Sequence, residues 1–488
     1  MTRASRTIPL LAAVLILTGC SLEPDYVRPA APVSADWPKG PAYGQPTAPT
    51  GAGEPLLADI GWREFFKAAP LQKLIATALA NNRDLRIAAL NIETARAQYR
   101  VQRADLLPTI SAEASGTRQR TPASVSTYGQ SGTSSQYSVD AGISSYELDF
   151  FGRVRSLKDE ALETYLATEE ARTVSQISLI AEVANAYLTL ESDRRLLTLT
   201  EDTLKSQESS LSLTTESFKR GISSQLDLSQ AQTTVETARV NRALYIRQVA
   251  QDRNALELLV GVPIGDAMLG EIDISKTDAL LADLPAGLPS ALLTRRPDIR
   301  EAEHQLRAAN ADIGAARAAF FPKITLTASG GTESTALSGL FDAGTSAWSF
   351  TPLISLPIFD AGRNQANLDI SKAQRAIEVA QYEKTIQTAF REVSDALAGR
   401  GTYTDQVNAQ RALVQADADS YRLAQLRYGK GIDSYLNVLD SQRSLYNAQQ
   451  TLISIELERM SNLVTLYKVL GGGGIETTKT TQMENEAR

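Results

Sequence analysis

The chain is poor in side chains that do covalent or acid–base chemistry. It has one cysteine, Cys20, and one histidine, His304, so no Cys/His metal site can be assembled from it. His304 follows Glu303 and Glu301 on a stretch with helical spacing, which reads as a structural or surface position rather than as a base or ligand. Asp298, Glu301 and Glu303 lie on the same stretch, and the pattern offers them no convergent partner for general acid–base work. No phosphate-cradling glycine loop, dinucleotide fingerprint or nucleophile elbow is present. An enzyme is therefore not expected, and neither is a metal or cofactor.

Cys20 is the exception. Arg3 and Arg6 precede an apolar run from Ile8 to Leu17, which is too short to span a bilayer and is shaped like a signal peptide over residues 1–19. The run ends Leu17-Thr18-Gly19-Cys20, which resembles the bacterial lipobox, whose cysteine is lipidated and becomes the mature N-terminus. Ser21 follows, where an aspartate would favour inner-membrane retention, so sorting to the outer membrane is expected. Residues 20–60, rich in Pro, Ala, Gly and Thr, read as an extended lipid-anchored tether.

The formal charge is −7 at pH 7, and −9 once Arg3 and Arg6 leave with the leader. An acidic chain without basic clusters is a poor nucleic-acid binder. No run of 18 or more apolar residues occurs, so no helix is expected to span a membrane. A chain of this kind can cross a bilayer only as a closed β-barrel, because hydrocarbon satisfies no open backbone group.

The elements repeat. Tyr428 to Leu470 forms a Gly-Lys-Gly turn and one long helix with two adjacent heptad seams, one through Val438, Leu445, Leu452 and Leu466, the other through Leu439, Tyr446, Ile453 and Met460. Phe218 to Val260 matches it without a gap. Two seams on one helix imply a neighbour on each side, as in a ring of helices. The first repeat, 61–261, reads as a helix from about Leu71 to Leu107, a stop at Pro108, two alternating strands, a turn at Gly152, a long helix and the tip turn at Gly221. In the second strand Tyr137, Val139, Ala141 and Ile143 share a face, and the phase flips at Tyr146, which predicts a bulge or the point where the strand leaves its sheet. A linker follows over 262–290, then the second repeat, 291–471, with Pro322 and Gly362 where Pro108 and Gly152 stood. Pro352 and Pro357 argue for an edge or a bulge in its last strand. Gly399 and Gly401 are expected to interrupt its long helix, Gly429 and Gly431 to form its tip turn, and 472–488 to be a flexible tail.

Four strands cannot close a barrel, so copies of the chain must share one: two copies give eight strands and a filled interior, three give twelve and an aqueous lumen. A plain helical bundle explains the seams but not the paired strand hairpins.

With these residues laid out, the chain resembles the outer-membrane efflux proteins of the TolC/OprM type, and within them the lipidated multidrug channels of the OprM/TtgC branch. The likeness is carried by GWREFF (61–66), NNRDLR (81–86), ELDFFGRVRSL (147–157), RRPDI (295–299), GAARAAFFP (314–322), SLPIFDAGR (355–363) and NVLDSQRSLY (437–446). It implies a mixed α and transmembrane-β fold: a homotrimer with a twelve-stranded outer-membrane β-barrel, four strands per chain, continuous with a periplasmic twelve-helix α-barrel. It also implies a lipid on Cys20, contact with outer-membrane lipids, and partners in a periplasmic adaptor protein and an inner-membrane transporter of the resistance-nodulation-division class, with export powered by the pump. The implied location is the outer membrane of a Gram-negative bacterium, with a large periplasmic part. Family gate positions near the hairpin tips map onto Tyr428, Arg427, Leu436 and Asp440, with Leu226 and Phe218 at the first-repeat equivalents of Leu436 and Tyr428 and Gln230 at that of Asp440. A ring of Leu436 would form an apolar constriction and a ring of Asp440 would concentrate negative charge. Gly429 stands where close relatives often carry a basic residue, so that position gives no support to the family's tip salt bridge. Alternatives are a sister channel exporting metal ions, other small molecules or proteins, and a coiled-coil surface structural or adhesin protein, which predicts neither the strand hairpins nor the repeat.

Overall fold

The computed structural model describes residues 21–34, 36–43, 60–127, 129–270, 272–276, 280–282 and 295–478. The expected leader, Cys20, the second half of the tether, much of the linker and residues 479–488 lie outside these. In chain order the described elements are α1 (Trp62–Phe65), α2 (Ala69–Asn81), α3 (Arg83–Ala104), β1 (Ile110–Thr121), β2 (Gly132–Glu147), α4 (Arg153–Lys219), α5 (Gln225–Val260), α6 (Asp266–Leu269), α7 (Pro297–Ala318), β3 (Lys323–Ser334), β4 (Ser346–Ser355), α8 (Arg363–Gly429) and α9 (Tyr435–Val469). They fall into two compact units. One comprises Met1–Ala30, Asn91–Glu169 and Glu301–Glu383, the other Ala31–Leu90, Glu170–Arg300 and Lys384–Arg488.

The first unit holds one antiparallel sheet in the order β1-β2-β3-β4. Ile110 stands opposite Ile143 and Ala114 opposite Val139, so the apolar residues of β1 and β2 share a face, as their alternation predicts. The phase flip at Tyr146 is a bulge: β2 shifts register against β3 between Ile143 and Tyr146, and Ser145 there takes a φ of 49°. β4 keeps an even register with β3 through Pro352 and lies at the edge of the chain's own sheet, where a proline is tolerated. Gly152 (φ 75°) and Gly362 (φ 84°) turn the two hairpins into α4 and α8. Pro108 and Pro322 lie just beyond α3 and α7, before the strands begin.

In the same unit the first part of the tether is docked along α7. Arg317 donates to the carbonyl of Leu22 (3.0 Å) and Asn310 to that of Pro24 (2.7 Å), and Tyr26 donates to Glu303. Glu303 is buried and ion-paired with Arg28 and Arg307, each at 2.8 Å. Burial opposes its charge, yet hydrogen bonds from both guanidinium groups outweigh that and hold its carboxyl below the usual range. Glu303 therefore has the convergent partners the sequence did not reveal, and they are cations in a structural clamp. His304 contacts Glu163 of α4 at 2.6 Å, and Asp298, in the other unit, is paired with Arg296 at 2.7 Å.

The second unit is built on a buried aromatic core. Phe65 stacks on Tyr467 with ring centroids 4.0 Å apart, Phe66 meets both rings edge-on, and Leu71, Leu74, Ile75 and Ala78 of α2 lie on one buried face. Both seams of α9 carry buried residues, Val438, Ala448 and Leu466 in one and Leu439, Ile453 and Met460 in the other, while Leu445, Leu452 and Tyr446 are half-buried.

Three elements differ from the sequence reading. The helix expected from Leu71 to Leu107 is broken at Asn82, whose Oδ1 caps α3 by accepting from the Leu85 N–H (2.9 Å). α8 is unbroken through Gly399 and Gly401: a Cβ on Gly399 would come within 2.4 Å of Asn462 Oδ1, so glycine there permits close helix contact instead of breaking the helix. Residues 472–478 are packed rather than free, since Gly471 (φ 84°) and Gly473 (φ 100°) fold the chain back. There the N–H of Trp62 donates to the Ile475 carbonyl, and Arg63 pairs with Glu476 at 2.6 Å.

Gly261 closes α5 in the left-handed region (φ 78°), and a Cβ there would sit 2.5 Å from the Asn81 carbonyl oxygen, a rigid backbone atom. Gly261→Ala should cost about 2 kcal/mol or more in thermal or denaturant unfolding. Gly429→Ala, in open space with ordinary backbone, should stay within about 0.5 kcal/mol. Equal effects would show that Gly261 is not held by this contact.

Candidate functional site

The two helix-hairpin tips are built alike. α4 ends in a turn where the N–H of Ile222 donates to the Ser217 carbonyl and that of Gly221 (φ 74°) to Phe218. α8 ends in the same pair of bonds, Ile432 to Arg427 and Gly431 (φ 71°) to Tyr428. Gly429 is the last residue of α8 and has no positive φ, so Gly431 makes this turn. At the first tip Ser224 and Asp227 form a reciprocal capping box that starts α5.

Beneath the tips the two hairpins touch through small and aromatic side chains. Ala231 of α5 and Ala424 of α8 pack with Tyr435, Val438 and Leu439 of α9, and the rings of Tyr428 and Tyr435 lie 5.2 Å apart. Burial pushes the Tyr435 hydroxyl up from its ordinary value. Tyr428 is thus partly buried packing for the tip.

Leu436 and Asp440, exposed on α9, line a groove of about 410 Å³ with Gln230 and Thr234 of α5. The residue that replaces the aspartate in the first repeat therefore lines the same groove as Asp440. Leu226 is exposed at the start of α5, Phe218 about one-third exposed at the end of α4.

Two ion pairs at this end were missed by sequence reasoning. Arg443 pairs with Asp440 one turn along α9, and Arg427 pairs with Asp433 across the second tip turn. The hydrogen bond from Arg427 holds the Asp433 carboxyl below its usual value, and Asp433 raises the guanidinium in return. A tip salt bridge exists, then, but Arg427 and Asp433 make it. The three-residue spacing of Asp440 and Arg443 was the available signal for the first pair. Arg427, Asp440 and Arg443 are well exposed and Asp433 partly so, and the two pairs set local charge more than they stabilise the fold.

Elsewhere in the first hairpin, Asp193 of α4 and Asp252 of α5 form a carboxyl pair. Burial, then the charge of Asp252, pushes Asp193 up to about 6, and burial also raises Asp252. Among the described residues no His/Cys/Asp/Glu cluster could hold a metal ion, and no helix is long and apolar enough to cross a membrane.

The family model of the outer membrane efflux proteins matches residues 74–262 and again 288–472, once for each repeat. The chain is similar to the antibiotic efflux pump outer membrane protein ArpC of Pseudomonas putida, 55% identical over 471 residues and 96% of both chains. It is also similar to the solvent efflux pump outer membrane protein SrpC of Pseudomonas putida, 52% identical over 475 residues, 96% of this chain and 98% of that one. Among solved structures it is similar to the open state of the Neisseria gonorrhoeae MtrE outer membrane channel, with TM-score 0.84 and 38% identity, covering 94% of this chain and 100% of that one.

The Asp193–Asp252 pair gives a pH signature. Its folded pKa values lie above the unfolded value of about 3.9, so the stabilisation is full below about pH 4 and is lost as pH rises through about 6. Asp252→Asn should raise the melting temperature relative to the native protein at pH 7 and lose that advantage towards pH 4. An advantage independent of pH would show that burial does not raise these carboxyls in the folded protein.

Proposed function

The chain belongs to the outer membrane efflux protein family, and on that premise we propose that it is the exit duct of a tripartite multidrug and solvent efflux system. It is an outer-membrane efflux protein and not an enzyme. In the proposed assembly three copies pool their strands into a twelve-stranded barrel and their helices into a periplasmic α-barrel. Cys20 carries the lipid, and a periplasmic adaptor and an inner-membrane transporter supply substrate and energy.

The observation that carries this reading is the four-stranded sheet whose first and last strands, β1 and β4, are each paired on one side and open on the other. In hydrocarbon each open backbone group costs several kcal/mol, and only closure with further copies removes the edges. The relatives named for antibiotic and solvent efflux support drugs and solvents as the substrate class. The gate reading rests on Leu436, exposed beside Asp440 on one groove wall. Three such leucines would narrow the periplasmic end with apolar surface, while Tyr428 packs the tip from behind and Leu226 adds a second apolar position. Each Asp440 faces its own Arg443, so the ring would carry less field than three bare carboxylates. Arg427 acts on the turn through Asp433.

In planar bilayers the native protein should show small conductance, and the double variant Leu436→Gly/Asp440→Ala a severalfold larger one. No conductance in either form would refute the channel, and equal conductance would refute this gate. Deleting the gene should sensitise the host to several antibiotics and solvents, and Cys20→Ala should abolish incorporation of radiolabelled palmitate.

A further inference from the structure

The two repeats differ along one face of their shorter helices. With Pro108 set on Pro322, α3 aligns with α7. Glu303, Arg307, Asn310, Gly314 and Arg317 of α7 then match Ala89, Glu93, Arg96, Arg100 and Arg103 of α3. Alternating steps of four and three keep each set on a single stripe. On α7 the tether covers that stripe in antiparallel order. Arg317 holds the Leu22 carbonyl and Asn310 that of Pro24. Arg307 lies 4.9 Å from the centre of the Tyr26 ring, and Glu303 pairs with Arg28. Gly314 makes room for the passing chain, since a Cβ there would stand 3.0 Å from the Cα of Glu23.

On α3 the same stripe is open and cationic. Arg100 sets a long side chain where α7 keeps a bare backbone, and Arg96, Arg100 and Arg103 are all exposed. Arg96 lies 5.9 Å from the centre of the Tyr165 ring. Among the described residues no carboxylate pairs with Arg100 or Arg103, and from Arg96 to Ala104 the helix carries no acidic residue. Asp105, next along the chain, accepts from Gln102 at 3.2 Å. Beyond it, Leu107 and Ile110 are exposed at 71% and 74%, so cationic surface gives way to apolar surface as the chain enters β1. The tether supplies the level. Cys20 precedes Leu22 by two residues, so a lipid on it starts within about 7 Å of the carbonyl that Arg317 holds. Arg317 therefore stands near the headgroups of the periplasmic leaflet, and Arg103 is its counterpart in the first repeat.

We propose that Arg100 and Arg103, with Arg96 beside them, bind the phosphodiester headgroup of an anionic phospholipid in the periplasmic leaflet of the outer membrane. Its acyl chains lie over Leu107 and Ile110. The proposal rests on the lipid-anchored outer-membrane reading above and adds to it a site of defined charge and stoichiometry. A guanidinium fork matches two phosphate oxygens at once, and two forks one turn apart can share one phosphodiester. Each arginine close to an anionic membrane surface strengthens the contact about fivefold. The tether occupies the second stripe, so each chain offers one such site.

The test titrates the full-length protein in dodecyl maltoside with phosphatidylglycerol and counts bound lipid by native mass spectrometry. One lipid per chain should bind, about tenfold more tightly than phosphatidylcholine does. Arg100→Gln with Arg103→Gln should weaken that binding about tenfold or more, and Arg100→Lys with Arg103→Lys should restore most of it. Arg86→Gln, at an exposed arginine about 20 Å back along the same helix, should leave it unchanged. Millimolar inorganic phosphate should not displace the lipid. Undiminished binding by the glutamine pair overturns the site, as does an equal loss in Arg86→Gln or equal affinity for phosphatidylcholine. Displacement by inorganic phosphate assigns the arginines to the free ion and overturns the lipid. The duct is judged apart from this: the glutamine pair should keep the conductance of the native protein in planar bilayers. A native protein without conductance overturns the duct, and the lipid site then stands or falls on the titration alone.

Discussion

Every backbone N–H and C=O at membrane depth must find a partner, and this requirement shapes the chain more than any side chain does. Within one copy, β1 and β4 each satisfy one edge and leave the other open. Water could fill those bonds, but hydrocarbon cannot. The duplication meets the problem by making the start and the end of the sheet copies of strands that already pair in its middle. The apolar stretches in β1–β4 stay short because they alternate: Ala112 and Ala114 face one way while Ser111, Glu113 and Ser115 face the other.

The helical unit obeys a different rule. Its long helices are polar overall and are held by narrow seams, close backbone contact and a few buried charges. Gly399 lets Asn462 reach the Ala396 carbonyl at 3.0 Å. Glu456, almost wholly buried on α9, is paired with Arg195 of α4 at 2.9 Å and Arg411 of α8 at 2.8 Å. A buried carboxylate with two guanidinium partners adds little net stability over an apolar trio, but any sliding of one helix strands a charge. It therefore fixes the relative register of three helices. Among the described residues the tips carry no comparable buried clamp: they are held by the Ala231, Ala424, Tyr435, Val438 and Leu439 contacts, by the Ser224–Asp227 capping box and by ion pairs at the surface.

How much of this was legible follows from whether a feature is local. The faces of β1 and β2, the bulge before Tyr146 and the turns at Gly221 and Gly431 were readable, because alternation and glycine placement are properties of neighbouring residues. Asn82 was readable in principle, as an Asn three residues ahead of Leu85, but an uninterrupted apolar spacing outweighed it. Gly399 was misread because a glycine that breaks a helix and one that admits a neighbour look identical until Asn462 is placed. The docked Glu303, the packed residues after Gly472 and the Glu456 clamp all depend on partners far away in sequence. No local pattern announces such contacts. At the candidate gate, Leu436, Asp440 and Arg427 came from resemblance, and geometry then supplied Arg443 as the partner of Asp440 and Asp433 as that of Arg427.

Those partners change what kind of gate the tip can be. An aspartate ring with free charges acts at a distance, drawing cations and repelling anions over about a Debye length, roughly 8 Å at physiological salt. An aspartate with an arginine one turn away is close to a dipole, whose field falls off faster and is screened sooner. In the proposed gate, closure by repulsion or long-range attraction among copies would then be weak, and what would remain is apolar packing of short reach: Leu436 at the groove, with Tyr428 and Tyr435 behind it. Packing of that kind is lost as soon as the helices separate by the width of a side chain. A tip closed in the proposed way would yield to a partner that wedges the hairpins apart, and a change in salt alone would leave it shut.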